Sequence, residues 1–156
     1  MHKNYTKILE NILKVDQIAI KDFYNQKITQ TELSDINNKH LNILKEIIEE
    51  IGFPTIKKTS ESAYTAAILI TLHCGDLYFI QKALNLLEKF KKNEINLSHK
   101  AYLIDKFRVL KNLPQIYGTQ YKKDSKGNIE FLPILNIENV NKLRKEVGLG
   151  SLKFIL

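Results

Sequence analysis

Residues 101–120 read AYLIDKFRVLKNLPQIYGTQ, and the change of pattern inside this stretch decides how the chain is read. Ala101, Tyr102, Ile104, Phe107 and Leu110, with Leu103, recur at helical spacing and predict a helix from His99 to about Asn112, with Ser98 as its N-cap. Asp105 and Arg108 lie three residues apart on that helix and can pair across one turn. Pro114 ends it. Beyond the proline, Ile116, Gly118 and Gln120 alternate with Tyr117, Thr119 and Tyr121, which suggests an extended segment. A turn-rich DSKGN over residues 124–128 and a returning strand over residues 129–132 complete a small hairpin. Two glutamines, a tyrosine and a threonine so close together suit a polar pocket better than a simple reversal of the chain.

The part before this stretch is helical. Ile8, Leu9, Ile12, Val15, Ala19 and Phe23 form a stripe over residues 5–24, with Asp16 and Gln17 in its middle. Asp16 stands at the edge of the buried face and needs water or a partner, most simply a lysine. A second helix, capped by Thr31 or Ser34, runs to Ile51 and stops at Gly52 and Pro54. Asn37, Asn38 and His40 lie in its first half. A third helix, capped by Ser60 or Ser62, is apolar nearly all round through Ala63, Ala66, Ala67, Ile70, Leu72 and Cys74, the mark of a central helix. His73 on it is expected to be enclosed. Gly75 interrupts, Asp76 caps a fourth helix, and Leu77, Ile80, Ala83, Leu84, Leu87 and Phe90 carry that helix to about Lys91, with Gln81 beside the stripe.

After Pro133, a last helix opens at Asn136 or Glu138, carries Arg144 and stops at Gly148. Leu149, Leu152, Phe154 and Leu156 read as a tail packed back onto the rest. The fold class expected is mainly α, a single helical domain over residues 1–156 of five to six helices with a small β-hairpin near the C-terminal third.

Composition narrows the classes. The length, 156 residues, suits one domain, and a 44% apolar share supplies a core. One cysteine, Cys74, forbids an intrachain disulfide and a cysteine-based metal site within the chain. The N-terminus has no apolar core like a signal peptide, and the apolar run at Ala66 is too short to span a bilayer, so a soluble cytoplasmic protein is expected. The formal charge is +7, and residues 82–126 hold eleven Lys or Arg against four Asp or Glu. Charge alone does not make a nucleic-acid binder, and neither a reading helix nor a stacking module is visible. A solvated lysine face is the simpler account.

Several chemistries are excluded by motif. H-E-x-x-H, a glycine-rich phosphate loop, a dinucleotide fingerprint and G-x-S-x-G are all missing. Cys74 follows His73 directly, so the two side chains diverge by about 100° on a helix and do not serve as nucleophile and base for one another. His2, His40 and His99 show no zinc spacing, and no metal is expected. The polar residues that remain are Asp16, Gln17, His73, Asp76, Gln81, Asp105, Arg108, Gln115, Tyr117, Thr119, Gln120 and Arg144. A histidine beside a carboxylate can act as general base, and arginine can hold an anion. This inventory permits hydrolysis or acyl transfer, and simple anion binding equally.

Several phrases together resemble a bacterial family, domain-of-unknown-function family 6624. They are Asp16-Gln17; Asn38 followed by LKEIIEEIGFPT, with Phe53 where the family commonly has tryptophan; and LHCGDLYFIQ over residues 72–81, with Leu72 where a glutamine usually precedes the histidine. The most specific is AYLIDKFRVLKNLPQIYGTQ, which keeps Tyr102, Leu103, Asp105 and all of residues 115–120, with Lys106 in place of the usual arginine. Pro133, Val140, Arg144 and the closing Val147-Gly148-Leu149 also match. The resemblance implies that Asp16, Gln17, His73, Gln81, Asp105, Gln115, Tyr117, Thr119 and Gln120 are polar residues shared by the family. It implies no activity.

The leading expectation is a small cofactor-independent hydrolase, with helices one, three and five lining a cleft covered by residues 117–120. His73 is its general base, oriented by Asp105 or Asp76. Asp16, Gln17, Gln81, Gln115, Tyr117, Thr119 and Gln120 surround a small polar or anionic substrate, and Arg144 or Arg108 meets its charge. The alternative is a protein-interaction module of immunity or effector-associated type, in which the same polar cluster is structural.

Overall fold

A computed structural model of the chain describes residues 4–124 and 126–153. The elements follow in the order α1 (Tyr5–Tyr24), α2 (Gln30–Ile51), α3 (Glu61–His73), α4 (Leu77–Leu87), α5 (Leu97–Leu110), β1 (Tyr121–Lys123), β2 (Ile129–Phe131) and α6 (Val140–Glu146). The fold is mainly helical, with six helices and one small antiparallel hairpin among the described residues. Its strands pair Tyr121 with Phe131, Lys122 with Glu130 and Lys123 with Ile129.

α3 is the central helix. It buries Ala63, Tyr64, Ala66, Ala67, Ile68, Ile70 and Thr71, and α1, α2, α4 and α5 all pack against it. Its alanines let those neighbours approach closely. Leu9 and Ile12 of α1, Leu44 and Ile47 of α2, Ile80 and Leu87 of α4, and Leu103 of α5 close the core around it. Phe53, fully buried, meets Tyr64 edge-on at 6.5 Å.

The starts of α1 to α5 are set by side-chain oxygens that take the first free N–H groups, whereas α6 follows Asn139 without a side-chain cap. α2 begins earlier than the sequence reading places it. Thr29, rather than Thr31 or Ser34, forms a capping box with Glu32, the two side chains each accepting from the other's backbone N–H. Of the two serines offered for α3, Ser60 is the cap, and its hydroxyl also donates to Glu10 of α1 at 2.7 Å. α5 is capped by Asn96 instead of Ser98, because Asn96 Oδ1 accepts from both the N–H and the hydroxyl of Ser98. α4 ends at Leu87, short of Lys91, where the bonds tighten to Lys89 N–H on Leu86 and Phe90 N–H on Leu87. Gly52 ends α2 with φ +72°, as its position requires.

The alternation over residues 116–121 does not become a strand. The hairpin begins only at Tyr121, and residues 116–119 wrap around the Asp105 carboxylate, which takes the N–H groups a ladder would have used. Gly118 has φ +64°, outside the range of extended backbone. A Cβ there would lie 2.6 Å from Leu152 Cδ1. The residues after α6 do return to the body: Leu152 exchanges two hydrogen bonds with the Asn141 amide. Phe154 and Leu156 lie outside the described residues, as does Ser125 of the hairpin turn.

Candidate functional site

The polar residues separate into two groups, and among the described residues no hydrogen bond joins them. The first is built on α1 and α3. Asp16 sits on the buried edge of α1, and its carboxylate accepts from His73 Nδ1 at 3.2 Å. Gln17 Nε2 donates to the other carboxylate oxygen at 3.3 Å. The Asp16 side chain is only 4% exposed, whereas the His73 side chain is 31% exposed. His73 is therefore not enclosed as the apolar run around it suggests. It is the last residue of α3, and Gly75 turns the chain away there, so solvent reaches the ring. The partner of Asp16 is this histidine and not a lysine. An ionised carboxylate only accepts, so Nδ1 carries the proton and Nε2 is the free nitrogen.

His73 opens onto a cavity of about 280 Å³. Its wall contains Ile20, Phe23 and Tyr24 of α1, Leu33 and Asn37 of α2, Leu72 of α3, and Lys106 of α5. α2, which the sequence reading left out of the cleft, contributes to it, and residues 117–120 do not. Among the described residues Lys106 has no ion-pair partner, so one cation stands near one imidazole with an apolar and aromatic floor beneath. His40 lies one turn beyond Asn37, 8% exposed, with Nδ1 buried and unpartnered.

The second group is a self-contained scaffold. Asp105 is fully buried and accepts from the N–H groups of Ile116 (2.7 Å), Tyr117 (3.1 Å) and Thr119 (3.0 Å) and from the Thr119 hydroxyl (3.0 Å). Gln115, also fully buried, donates to the carbonyls of Gln120 and Leu132 and accepts from Gln120 N–H. The Gln120 amide bonds Thr119 Oγ1. Arg144 Nη1 donates to the carbonyl of Tyr117 at 2.7 Å and its Nε to that of Gly150. Burial lowers the pKa of this guanidinium, and the nearby Tyr102 and Asp105 act in the opposite direction. The pKa of the half-buried Tyr117 phenol is raised, first by burial and then by Asp105 and Glu146.

Three expected placements are corrected by this geometry. Asp105 does not orient His73, because both of its oxygens are filled by backbone. Asp76 does not either: it caps α4 through Phe79 N–H at 3.0 Å and faces Lys45 at 3.7 Å. Arg108 does not pair with Asp105 but donates to the Pro114 carbonyl at 2.6 Å, holding the end of α5. Gln81 lies apart on α4, bonded to Asn85. Cys74 bonds the Thr71 carbonyl, and burial raises its thiol pKa, which disfavours a thiolate. The residues that sequence reasoning missed are Asn37 and Lys106. The signals were a run of polar residues early in α2 and, for Lys106, its place beside Asp105 where the resembled family usually has arginine.

No group of three or more His, Cys, Asp or Glu side chains among the described residues is placed to hold a metal ion. None of the described helices is long and apolar enough to cross a membrane.

Two histidines outside the pair give a pH prediction. Burial lowers the pKa of His40 and of His99 below the ordinary 6.5, while Asp16 and Glu61 respectively act in the opposite direction. The unfolded chain then binds more protons than the folded one as pH falls through 6.5. Stability is fully present above that value and declines below it. Melting temperature is expected to drop between pH 7.5 and 5.5. A His40→Gln, His99→Gln double variant should show a flatter profile over the same interval. An equal slope in the variant would contradict this origin of acid sensitivity.

Comparison with curated proteins and with solved structures found no significant match for either. A family model does match, over residues 11–156, which takes in α1 from its second turn, the Asp16–His73 pair and the Asp105 loop. The chain therefore belongs to the family of unknown function DUF6624.

Proposed function

We propose that the chain is a small cofactor-independent esterase-like hydrolase, with His73 as general base and Asp16 as the carboxylate that orients it. The observation that carries this reading is the 3.2 Å hydrogen bond from His73 Nδ1 to a nearly buried Asp16, at the edge of an open cavity. Held in that way, the imidazole keeps Nε2 free to take a proton, the arrangement used wherever histidine serves as a base beside a carboxylate. Water attacks the ester carbonyl carbon as Nε2 removes one of its protons. The bond to the alcohol oxygen then breaks, and the alcohol leaves with that proton. Lys106 is the cation available to the negative charge that develops on the carbonyl oxygen, and Asn37 is an amide available to hold the substrate.

The test is turnover of a panel of unactivated carboxylic esters by the purified protein. Wild type is expected to exceed buffer, and His73→Ala to lower kcat/KM by roughly 100-fold or more, the usual contribution of a positioned base. Asp16→Asn is expected to fall between the two, since an amide no longer fixes the tautomer. Either no turnover of any ester, or full activity in His73→Ala, rejects the reading.

A second reading, a protein-interaction module, is favoured by exposed apolar side chains toward the hairpin end. Leu110, Leu113, Tyr121, Ile129, Leu135 and Ile137 are all well exposed, and a cavity of about 430 Å³ lies among Val109, Leu113, Pro114, Leu132 and Pro133. On that reading His73→Ala changes nothing that the protein does.

A further inference from the structure

We infer that the substrate of the His73 site carries a linear, medium-length apolar acyl chain, seated in a groove between α3 and α5. The inference rests on the hydrolase reading and extends it. A second cavity of about 280 Å³ is walled by Thr65, Ile68, Leu69 and Leu72 of α3 and by His99 and Tyr102 of α5. Leu72 belongs to the wall of this cavity and to that of His73.

The spacing gives the two cavities one direction. Thr65, Leu69 and Leu72 stand at i, i+4 and i+7 on α3, and His99, Tyr102 and Lys106 at i, i+3 and i+7 on α5. Each set is one stripe along its helix, and the two helices pack on each other. From His99 to Lys106 the stripe runs seven residues, roughly 10 Å, and it ends where the His73 cavity begins. The chemistry changes along that line. Apolar side chains fill most of it, and the imidazole and the ammonium stand together at one end. His99 closes the other end, its ring stacked on Tyr64 at 5.6 Å.

A molecule polar at one end and apolar along the rest matches this sequence of surfaces. A compact polar substrate leaves the groove unused. Each cavity is about 280 Å³, close to the lower end of ligand sites, typically about 300–1,000 Å³, and Leu72 is the wall residue the two share.

Two measurements on the purified protein test the inference. The first is kcat/KM for acetyl, butyryl, octanoyl and lauroyl esters of one alcohol. It is expected to rise by up to roughly fourfold per methylene and to level off once the chain reaches His99. The second is calorimetric binding of sodium octanoate to His73→Ala protein, which separates binding from turnover. Leu69→Glu, made in that background, puts a charge in the groove wall and is expected to weaken octanoate at least tenfold. Thr65→Trp, which fills the groove without charging it, should act alike if Leu69→Glu does not fold. His73-dependent turnover that ignores chain length overturns the groove and leaves the hydrolase. Octanoate binding that is lost in both groove variants, without turnover of any ester, supports the groove and removes the hydrolase. Octanoate affinity in a folded groove variant equal to that of His73→Ala alone overturns the inference.

Discussion

Asp105→Ala is expected to lose about 3–5 kcal/mol of folding stability, what several donors left unsatisfied at about 1–3 kcal/mol each amount to. Among the described residues the carboxylate is the only acceptor for the N–H groups of Ile116, Tyr117 and Thr119, and it also takes the Thr119 hydroxyl. Truncation leaves these donors buried with nothing to bond. The cost is then the desolvation of several donors and not the modest net value of one hydrogen bond. Asp105→Asn is expected to be nearly as damaging, since its NH₂ would face N–H donors where an oxygen is required. In a chain of this size the melting temperature should fall by roughly 10 °C or more. Urea denaturation of wild type and both variants measures the effect. A loss below about 1 kcal/mol, or a benign Asp105→Asn, would mean that the loop finds other acceptors and that Asp105 is no keystone.

Arg144→Met is the second large effect, expected at about 2–4 kcal/mol. The guanidinium donates to the carbonyls of Tyr117 and Gly118 with one nitrogen and to that of Gly150 with another. It thus ties α6 and the segment after it to the same loop whose N–H groups Asp105 holds. Arg144→Lys keeps the charge but not the planar fork, and should recover less than half of the loss. Because both residues fix one piece of backbone, the double variant Asp105→Ala, Arg144→Met should cost clearly less than the two single losses added together. Simple additivity in the same urea titrations would show that the two ends of the loop are held independently. Neither substitution touches the His73 cavity wall, so a drop in turnover at a temperature where the variants remain folded would also link the two groups of polar residues.

Much of the fold was legible from local pattern. The apolar stripe of α1, the all-round apolar surface of α3 and the stop at Gly52 each follow from side chains within a few residues of one another, and a helix is a local structure. Errors at the helix starts were small and share one cause. Several residues near each start can supply a capping oxygen, and the winner depends on backbone held from elsewhere, as Asn96 is held by the Tyr64 hydroxyl.

The sequence by itself determined which residues are polar in apolar surroundings, and it picked out Asp16, His73, Asp105, Gln115 and Arg144 without saying which of them meet. That pairing is a property of helices that are distant along the chain. Asp16 and His73 are 57 residues apart, and only the packing of α1 on α3 brings the carboxylate to the ring. Asp105, by contrast, is taken up by backbone N–H groups only 11 to 14 residues further on, where the chain folds back beside α5, and not by the histidine. A buried carboxylate takes whatever donors surround it, and which donors those are is decided by how the helices cross.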